Sequence, residues 1–327
     1  KITILGAGAM ASAISVPPSR NGHSINIWGT EFDKVIIDAL KAGQPHPTLT
    51  RENPRGFSAP RKLSNQFSWE VPIKANFFYE NELETALKDS EVVVFAVISS
   101  GLRSIAQKAK PFLTKQILVN VAKGFDSGQT MIEVLEQELP GLQKVTIAGP
   151  SIAAEVAQEH RTHVVFASKE KSAAKLCKKV FQNKNYRVEV SNDAIGAEIC
   201  SALKNVYAIA INIGKNNNHR SALFTQSLAE MSEFVKAFGG KAKTVYGLAG
   251  LGDLHVTSQG GRNGMLGQAI ASGKKPSEAL AELKEKNITV EGYAAAKAAW
   301  ELAKSKNLKL PLLEATYCLL YEDKLFD

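Results

Sequence analysis

A single charged residue interrupts a long apolar stretch in the second half of the chain. Between Ile199 and Gly214 that residue is Lys204, and a helix that is apolar on all sides belongs in a protein interior. An ammonium group buried without a partner is costly, so Lys204 needs either a counter-charge or a lowered pKa. Desolvation favours the neutral amine, which is the form that a general base needs near physiological pH. The alternative is a lysine whose aliphatic stem carries the ammonium to the surface.

A carboxylate that can pair with this lysine lies in a second apolar segment. Asp253 is the only charged residue in the sequence Gly-Leu-Ala-Gly-Leu-Gly-Asp-Leu at residues 247–254. Such surroundings make an unpaired carboxylate expensive, so we expect Asp253 to meet a cation, and Lys204 is the candidate. The alternative is that Asp253 caps the helix that follows.

Glycines surround two further polar residues just before a predicted helix. Arg262 and Asn263 lie in the sequence Ser-Gln-Gly-Gly-Arg-Asn-Gly-Met-Leu-Gly at residues 258–267. Glycines let backbone N–H groups converge on an anion, and a guanidinium offers two parallel donors to phosphate oxygens. The segment therefore predicts a phosphate-binding loop, although plain connecting loops have similar sequences. Lys123, followed by Gly124 after a predicted buried strand, adds a basic group where open α/β sheets bind ligands.

The N-terminal segment has the pattern of a dinucleotide-binding turn. A predicted strand at residues 2–5 is followed by G-x-G-x-x-A and then by a predicted helix. Gly6 permits the tight turn, Gly8 lets the backbone approach a pyrophosphate, and Ala11 lets the helix pack close to the strand. The pattern also occurs in turns without a ligand, but its position at the first strand–helix junction of an α/β domain indicates NAD or NADP.

The residues after the second predicted strand bear on the choice between these cofactors. Glu31 can accept a hydrogen bond from a ribose 2′-hydroxyl and favour NAD, or it can face solvent and begin the next helix. Thr30 can equally accommodate the 2′-phosphate of NADP. The sequence leaves NAD and NADP both open.

Two patterns of secondary structure position these residues. In the first half, apolar β-branched runs alternate with helical stretches, which predicts a doubly wound parallel sheet with strands at 2–5, 24–28, 91–97, 116–121, 144–148 and 163–167. After about residue 191 the pattern is mainly helical. We therefore expect a dinucleotide-binding domain over residues 1–190 and a helical substrate-binding and catalytic domain over residues 191–327. A proline-bearing insertion at about residues 43–69 has neither period and predicts a surface excursion, which could cover the cofactor.

Composition limits the partners of the chain. A net charge of +8 attracts anions, but the basic residues are spread between acidic ones, which favours a small phosphorylated ligand over nucleic acid. Three distant cysteines and six histidines without ligand-like spacing predict neither a disulfide framework nor a metal site, and favour a reducing compartment. No apolar run approaches the ~20 residues that cross a bilayer. We therefore expect a cytoplasmic protein without a membrane segment.

These segments occur together, and in the same order, in the NAD(P)-dependent glycerol-3-phosphate dehydrogenase family, which the chain resembles over essentially its whole length. The matching segments are Gly-Ala-Gly-Ala-Met at 6–10, Val-Ala-Lys-Gly at 121–124, Gly-Pro-Ser-Ile-Ala-Ala-Glu at 149–155, Ala-Leu-Lys-Asn-Val-Tyr at 202–207, Gly-Leu-Gly-Asp-Leu at 250–254, Gly-Arg-Asn at 261–263 and Val-Glu-Gly at 290–292.

This resemblance implies a fold and an activity. The fold is a Rossmann-type domain followed by a helical domain like the C-terminal domain of 6-phosphogluconate dehydrogenase. The activity is reversible hydride transfer between sn-glycerol 3-phosphate and dihydroxyacetone phosphate with NAD or NADP, which supplies glycerol 3-phosphate for phospholipid synthesis. A homodimer formed through the helical domain is also implied.

The resemblance further implies roles for individual residues. Lys204 would be the acid/base at the C2 oxygen, with Asp253 orienting it. The residues that would hold the substrate are Lys123, Gly149, Ser151, Asn205 and Thr257, with Arg262 and Asn263 on its phosphate. Those that would contact the cofactor are Gly6, Ala7, Gly8, Ala9, Met10, Thr30, Glu31, Lys123, Ala153, Arg262 and Glu291.

The chain departs from the common bacterial pattern of the family at the adenine end of this site. Met10-Ala11-Ser12 stands where an aromatic residue and Gly-Thr are frequent, and Thr30 stands where an arginine is frequent.

Two other interpretations of the chain remain: a reductase of the same architecture that acts on a hydroxy or keto acid, and a nicotinamide-binding regulator without turnover. The first has no need of the Gly-Arg-Asn segment, and the second has no need of a buried Lys204 with Asp253.

Overall fold

The computed structural model describes residues 1–47, 49, 73–286 and 288–324, which form two compact units. Of the described residues, the first unit contains 1–47, 49, 73–123 and 131–194, and the second contains 124–130 and 195–324. The proline-bearing insertion predicted at about residues 43–69 lies outside the described residues except for 43–47 and 49.

Short apolar runs form most of the strands. In chain order the strands of the described residues are Ile2–Leu5 (β1), Ile25–Trp28 (β2), Asn76–Phe78 (β3), Val92–Phe95 (β4), Ile117–Asn120 (β5), Phe125–Asp126 (β6), Gln129–Thr130 (β7), Lys144–Ala148 (β8), Thr162–Ala167 (β9) and Tyr186–Ser191 (β10). Eight of them form the sheet of the first unit in the order β10-β9-β8-β5-β4-β1-β2-β3, while β6 and β7 form a hairpin in the second unit. All six predicted strands are present.

Strand directions follow the prediction except at one edge of the sheet. β8, β5, β4, β1, β2 and β3 are parallel to one another, whereas β9 is antiparallel to β8 and β10 is parallel to β9. The prediction of a parallel strand at 163–167 is therefore wrong relative to β8. The helix between β8 and β9 has only five residues, which span about 7 Å at ~1.5 Å per residue. That is too short to carry the chain back along β8 for a parallel return.

Two apolar clusters cover the two faces of this sheet. Alternate residues of each strand point to opposite faces, so Ile4 and Val94 belong to one cluster, and Leu5 and Phe95 belong to the other. The helices of the first unit that supply the remainder are Ala9–Arg20 (α1), Lys34–Lys41 (α2), Leu83–Leu87 (α3), Ser99–Ala109 (α4), Met131–Glu138 (α5), Ala153–Ala157 (α6) and Lys171–Phe181 (α7). Helices on both faces make the sheet doubly wound, as predicted.

The second unit is mainly helical. Its described helices are Ala194–Ile213 (α8), Asn217–Ala237 (α9), Ala242–Val245 (α10), Asp253–Ser258 (α11), Gly261–Ala271 (α12), Pro276–Glu285 (α13), Glu291–Ser305 (α14) and Pro311–Glu322 (α15). The sequence pattern predicts helices at residues 193–214, 221–238, 276–286, 291–306 and 312–321, and all five are present. The short α10 lies outside these predictions, α11 is the helix that follows Asp253, and α12 starts within the glycine-rich segment rather than after it.

Helix α8 forms the centre of the second unit. Among the described residues it is the one helix long and apolar enough to cross a membrane, and 94% of its most apolar window is buried inside the protein. Two neighbouring helices approach its backbone through glycines. A Cβ on Gly267 of α12 would lie 2.5 Å from the backbone oxygen of Ile209, and one on Gly292 of α14 would lie 2.4 Å from the backbone oxygen of Asn205. Side chains at these positions would force both helices away from α8.

Candidate active site

The buried lysine of α8 meets its predicted carboxylate. Lys204 is 6% exposed and Asp253 is 1% exposed. The Lys204 Nζ donates a short hydrogen bond to Asp253 Oδ1 and a second one of 3.0 Å to Thr257 Oγ1. The structure therefore has the paired, buried lysine rather than the alternative in which the ammonium reaches the surface.

Backbone geometry before α11 aims Asp253 at α8. Residues Leu248–Gly252 form a single π-helical turn, a feature frequent at functional sites. A Cβ on Gly250 would lie 2.1 Å from the Val245 oxygen, so only glycine allows this turn to close. Asp253 and Thr257 are four residues apart, which places them on the same face of α11. Both consequently reach the Lys204 ammonium.

Polar side chains beside Lys204 form a connected network. Asn205 Nδ2 donates to Glu291 Oε2 at 3.3 Å, and Asn263 Nδ2 donates to Asn205 Oδ1 at 3.0 Å. The backbone N–H of Gly292 donates to Asn263 Oδ1 at 2.9 Å, and Arg262 donates from its NH2 group to Glu291 Oε1 at 3.2 Å. Asn205 and Asn263 are buried, whereas the side chains of Arg262 and Glu291 are partly exposed. Two amides and one guanidinium thus form a network that includes Asn205, the residue after Lys204 in the chain.

The predicted phosphate-binding loop is wrong in one respect, because Arg262 and Asn263 lie in the first turn of helix α12. The glycine turn is confined to Gly260 and Gly261, whose φ angles are 155° and 75°, and the helix begins at Gly261. Sequence reasoning ended the glycine-rich loop too late, because the glycines at 264 and 267 look like loop residues. They instead allow α12 to pack closely on α8.

Asn212 is a site residue that sequence reasoning missed. Its Nδ2 donates to the Ala208 and Ser258 carbonyls at 2.9 and 2.8 Å, and its Oδ1 accepts from Gln268 at 3.1 Å. This buried amide ties the backbone before Arg262 to helix α8. A buried asparagine in the apolar stretch was the available signal.

The candidates of the first unit follow two neighbouring parallel strands. Lys123 comes three residues after β5, and Gly149 follows β8 directly with a φ of 114°. Ser151 comes two residues later, and Ala153 begins helix α6. Because β5 and β8 are adjacent and parallel, their carboxyl ends lie at the same edge of the sheet, where open α/β sheets bind ligands.

The dinucleotide-binding turn has the geometry that a pyrophosphate requires. Gly6 has a φ of 109°, and a Cβ there would lie 2.6 Å from the Ala96 oxygen, whereas a Cβ on Gly8 would meet nothing within 4 Å. The space before Gly8 is therefore open. Helix α1 begins at Ala9 without a side-chain cap and without an acidic residue in its first turn, so its N–H groups are suited to an anion. Ala7 and Ala11 are buried beneath the turn, and Met10 is partly exposed.

A buried histidine supports this turn and was not predicted. His46 lies in the insertion and is 4% exposed. Its Nε2 lies 3.0 Å from the Ala7 oxygen, and its Nδ1 accepts from the Leu49 backbone N–H at 3.3 Å. Burial lowers the pKa of His46, so the ring is neutral and its Nε2–H donates to Ala7. No local motif connects residues 39 positions apart, so this contact could not be predicted from the sequence.

The residues that follow β2 line a cavity of about 640 Å³ in the first unit. Its wall contains Thr30, Glu31, Lys34, Tyr79, Glu80 and Asn81. The Thr30 backbone N–H and hydroxyl both donate to Asp33 at 2.9 Å, and the Glu31 backbone N–H donates to Glu80 at 2.8 Å. Glu31 thus begins a short helical turn, and its side chain is exposed.

Among the described residues, no group of three histidine, cysteine, aspartate or glutamate side chains is arranged to hold a metal ion.

Comparison with known proteins identifies the family. Its sequence models match residues 1–174 as "NAD-dependent glycerol-3-phosphate dehydrogenase N-terminus" and residues 193–327 as the corresponding C-terminus. The chain is 38% identical to an NADP(+)-dependent glycerol-3-phosphate dehydrogenase of Archaeoglobus fulgidus, covering 98% of this chain and 95% of that protein. It is 34% identical to an NAD(P)+ glycerol-3-phosphate dehydrogenase of Fusobacterium nucleatum, covering 99% and 93%.

A solved structure agrees. The crystal structure of glycerol-3-phosphate dehydrogenase from Coxiella burnetii superimposes with a TM-score of 0.84 at 28% identity, covering 99% of this chain and 95% of that one. The family, the Rossmann-type fold of the first part and the nicotinamide cofactor predicted from the sequence are confirmed. The chain belongs to the NAD-dependent glycerol-3-phosphate dehydrogenase family, whose members are NAD(P)-dependent oxidoreductases.

Proposed function

We propose that the chain interconverts sn-glycerol 3-phosphate and dihydroxyacetone phosphate, with Lys204 as the acid/base. Membership of the family supports the reaction. The observation that carries the assignment of Lys204 is its burial against Asp253 and Thr257 within hydrogen-bond distance, in a helix that is otherwise apolar.

Lys204 transfers the proton to and from the C2 oxygen of the substrate. A nicotinamide cofactor, which the turn after β1 would hold, would supply the hydride acceptor for C2 in oxidation and the hydride donor in reduction. In reduction the Lys204 ammonium, stabilised by the neighbouring Asp253 carboxylate, donates a proton to the C2 oxygen and becomes the neutral amine. In oxidation the neutral amine takes the proton from the C2 hydroxyl and becomes the ammonium again. Asp253 and Thr257 fix the direction of the Nζ group. Proton transfer of this type contributes about 10²–10⁴ in rate.

The substrate phosphate is assigned to Arg262. Its guanidinium is partly exposed and contacts Glu291 through one terminal nitrogen. The planar arrangement of its other N–H donors suits two phosphate oxygens. Asn205 and Thr257 supply polar contacts to the substrate beside Lys204. Asn263 stays a candidate on the phosphate side, although both ends of its amide are used within the second unit.

The cofactor is assigned to the turn after β1 and to the carboxyl ends of the strands. The open space before Gly8 and the uncapped start of α1 suit the pyrophosphate, while Thr30 and Glu31 suit the adenosine end. The roles implied for Ala7, Ala9, Met10, Lys123, Gly149, Ser151, Ala153 and Glu291 remain part of this proposal.

We also propose the domain roles, the compartment and the oligomeric state that the family implies. Residues 1–190 bind the dinucleotide, and residues 191–327 carry the catalytic and substrate-binding side chains. The protein is a cytoplasmic homodimer that pairs through its helical domain, and its product enters phospholipid synthesis. Sedimentation of the purified protein tests the dimer directly, since a monomer at working concentrations contradicts it.

A substrate panel tests the proposed reaction. Oxidation of NADH and of NADPH is followed with dihydroxyacetone phosphate, dihydroxyacetone and a 2-keto acid as alternative acceptors. We expect turnover with dihydroxyacetone phosphate and a large loss without the phosphate, because Arg262 then has no partner. Faster reduction of the keto acid identifies a different reductase, and no turnover with any acceptor identifies a binding protein.

A further inference from the structure

Four side chains beside Lys204 form a hydrogen-bond relay that runs in one direction. The Gly292 N–H donates to Asn263, Asn263 donates to Asn205, and Asn205 donates to Glu291. Arg262 donates to the other oxygen of Glu291. Glu291 therefore terminates the relay as an acceptor at both of its carboxylate oxygens.

The direction of the relay is determined by the backbone N–H of Gly292, which can only donate a hydrogen bond. An asparagine amide can exchange its oxygen and nitrogen by rotation, but a backbone N–H is only a donor. The Gly292 N–H therefore requires the oxygen of Asn263 and turns the Asn263 NH₂ toward Asn205. That NH₂ in turn requires the oxygen of Asn205, which leaves the NH₂ of Asn205 facing Glu291.

The carboxylate of Glu291 meets two requirements at position 291. It must accept from the Asn205 amide and from the Arg262 guanidinium at once, and a carboxylate has an acceptor oxygen for each. Asn205 and Asn263 are 5% and 7% exposed, so an unsatisfied donor or acceptor in the relay is costly. With its oxygen accepting from Asn263 and one N–H donating to Glu291, Asn205 has a second N–H hydrogen with which to contact a ligand.

We propose that Glu291 is a positioning residue for the phosphorylated substrate. It holds the Arg262 guanidinium for the phosphate, and the relay that it terminates turns the N–H edge of Asn205 toward a substrate oxygen. The identity of the substrate rests on the proposed function. This role is additional to the cofactor contact that the family resemblance implies for Glu291.

The variant Glu291→Gln tests the hold on Arg262. The introduced amide has the same shape but a single acceptor oxygen, so it can satisfy Asn205 or Arg262 but not both. We expect the KM for dihydroxyacetone phosphate to rise about tenfold, because the variant loses the charge-assisted contact that holds the Arg262 guanidinium in place. Unphosphorylated dihydroxyacetone offers Arg262 no phosphate, so its KM should rise much less than the KM for dihydroxyacetone phosphate. A variant that raises only the KM for the cofactor overturns the proposal.

A pair of variants tests the direction of the relay. Asn263→Asp still accepts from Gly292, but its second oxygen meets the oxygen of Asn205, so the thermal midpoint should fall. Adding Glu291→Gln lets the whole relay reverse, because Asn205 can then donate to position 263 and accept from the amide introduced at position 291. We expect the double variant to regain thermal stability relative to Asn263→Asp but to keep a raised KM for dihydroxyacetone phosphate.

The outcomes separate this proposal from the proposed function. No recovery of the thermal midpoint in the double variant means that the relay does not have the stated direction, and recovery of both stability and KM means that the orientation of Asn205 is irrelevant. Either result overturns the proposal. Absence of wild-type turnover with dihydroxyacetone phosphate overturns the proposed function instead, and the thermal midpoints still test the relay in that case.

Discussion

At the scale of single residues, the site depends on charges that are buried only because they are paired. Lys204 and Asp253 lie in segments that contain no other charge, and Thr257 takes a second hydrogen bond from the same ammonium. Breaking such a pair leaves the remaining charge without a partner in an apolar environment. Stability and activity are therefore linked at this position.

Substitution of Asp253 should reveal this link. Removing one partner of a buried ion pair costs about 3–5 kcal/mol, so we expect Asp253→Asn to lower the free energy of unfolding by an amount in that range. Thr257→Val removes one hydrogen bond and should cost about 1 kcal/mol. Denaturant titration of both variants gives the comparison. Equal losses in the two variants would contradict the ion-pair account.

His46 should make cofactor binding depend on pH. Its folded pKa lies below the usual 6.5 because burial disfavours the imidazolium, so the unfolded state binds the proton more readily. The stability that His46 contributes is therefore complete above about pH 6.5 and is lost as the pH falls toward the folded pKa. We expect stability to fall as the pH drops below about 6.5, and dinucleotide affinity to fall as the pH approaches the lower folded pKa, where the imidazolium forms beside the turn.

The variant His46→Gln provides the control for this prediction. Its amide can donate to the Ala7 oxygen but does not titrate, so its pH profile should be flatter than that of the wild type. Dinucleotide affinity measured by fluorescence at several pH values tests this directly. Parallel profiles for the two proteins would exclude His46 as the titrating group.

At the scale of elements, the sequence predicts best where burial is uniform. Helix α8 is buried along nearly its whole length and strand β4 is apolar throughout, so their pattern shows in the sequence. Strand β10 alternates buried and exposed residues at the sheet edge and carried a period-two signal that was overlooked. The three residues of β3 are too few for any periodicity.

Features that depend on the path of the chain between elements, or on contacts between helices, were not predicted. The reversal of β9 follows from the length of the connection before it, and the closing of the π-helical turn follows from the approach of Gly250 to Val245. The relay of Asn205, Asn263 and Glu291 joins three helices, and no sequence spacing encodes it. The residue types at the site were therefore predictable, while their hydrogen-bond partners were mostly not.

The start of helix α15 depends on a carboxylate from another helix. Glu230 of α9 is 2% exposed and accepts from the Leu312 and Leu313 backbone N–H groups at 2.7 and 2.9 Å, as well as from the Tyr207 hydroxyl. The variant Glu230→Gln retains only one acceptor oxygen. We expect a loss of about 1–3 kcal/mol, the cost of leaving one buried donor unsatisfied.

Hydrogen exchange at Leu312 and Leu313 would locate this loss at the start of α15. Glu233→Gln on the same helix is the matched control, because Glu233 forms an exposed pair with Lys236, and exposed pairs contribute about 0–1 kcal/mol. Similar destabilisation by both variants would mean that Glu230 does not cap α15.

At the scale of the whole molecule, the net charge of +8 should assist the capture of an anionic substrate. The screening length falls from about 30 Å at 0.01 M salt to about 8 Å at 0.15 M. We expect kcat/KM for dihydroxyacetone phosphate to fall over this range, while that for uncharged dihydroxyacetone stays nearly constant. Identical salt dependence for the two substrates would show that long-range charge has no part in binding.

The account as a whole requires that Lys204 move the proton while other residues hold the dinucleotide. The most direct measurement compares wild type with Lys204→Ala in two assays: turnover of dihydroxyacetone phosphate and equilibrium binding of the reduced dinucleotide. We predict a fall in kcat of about 10²–10⁴ with an unchanged dissociation constant for the dinucleotide. Wild-type turnover in the folded variant would remove Lys204 from the chemistry and contradict the mechanism.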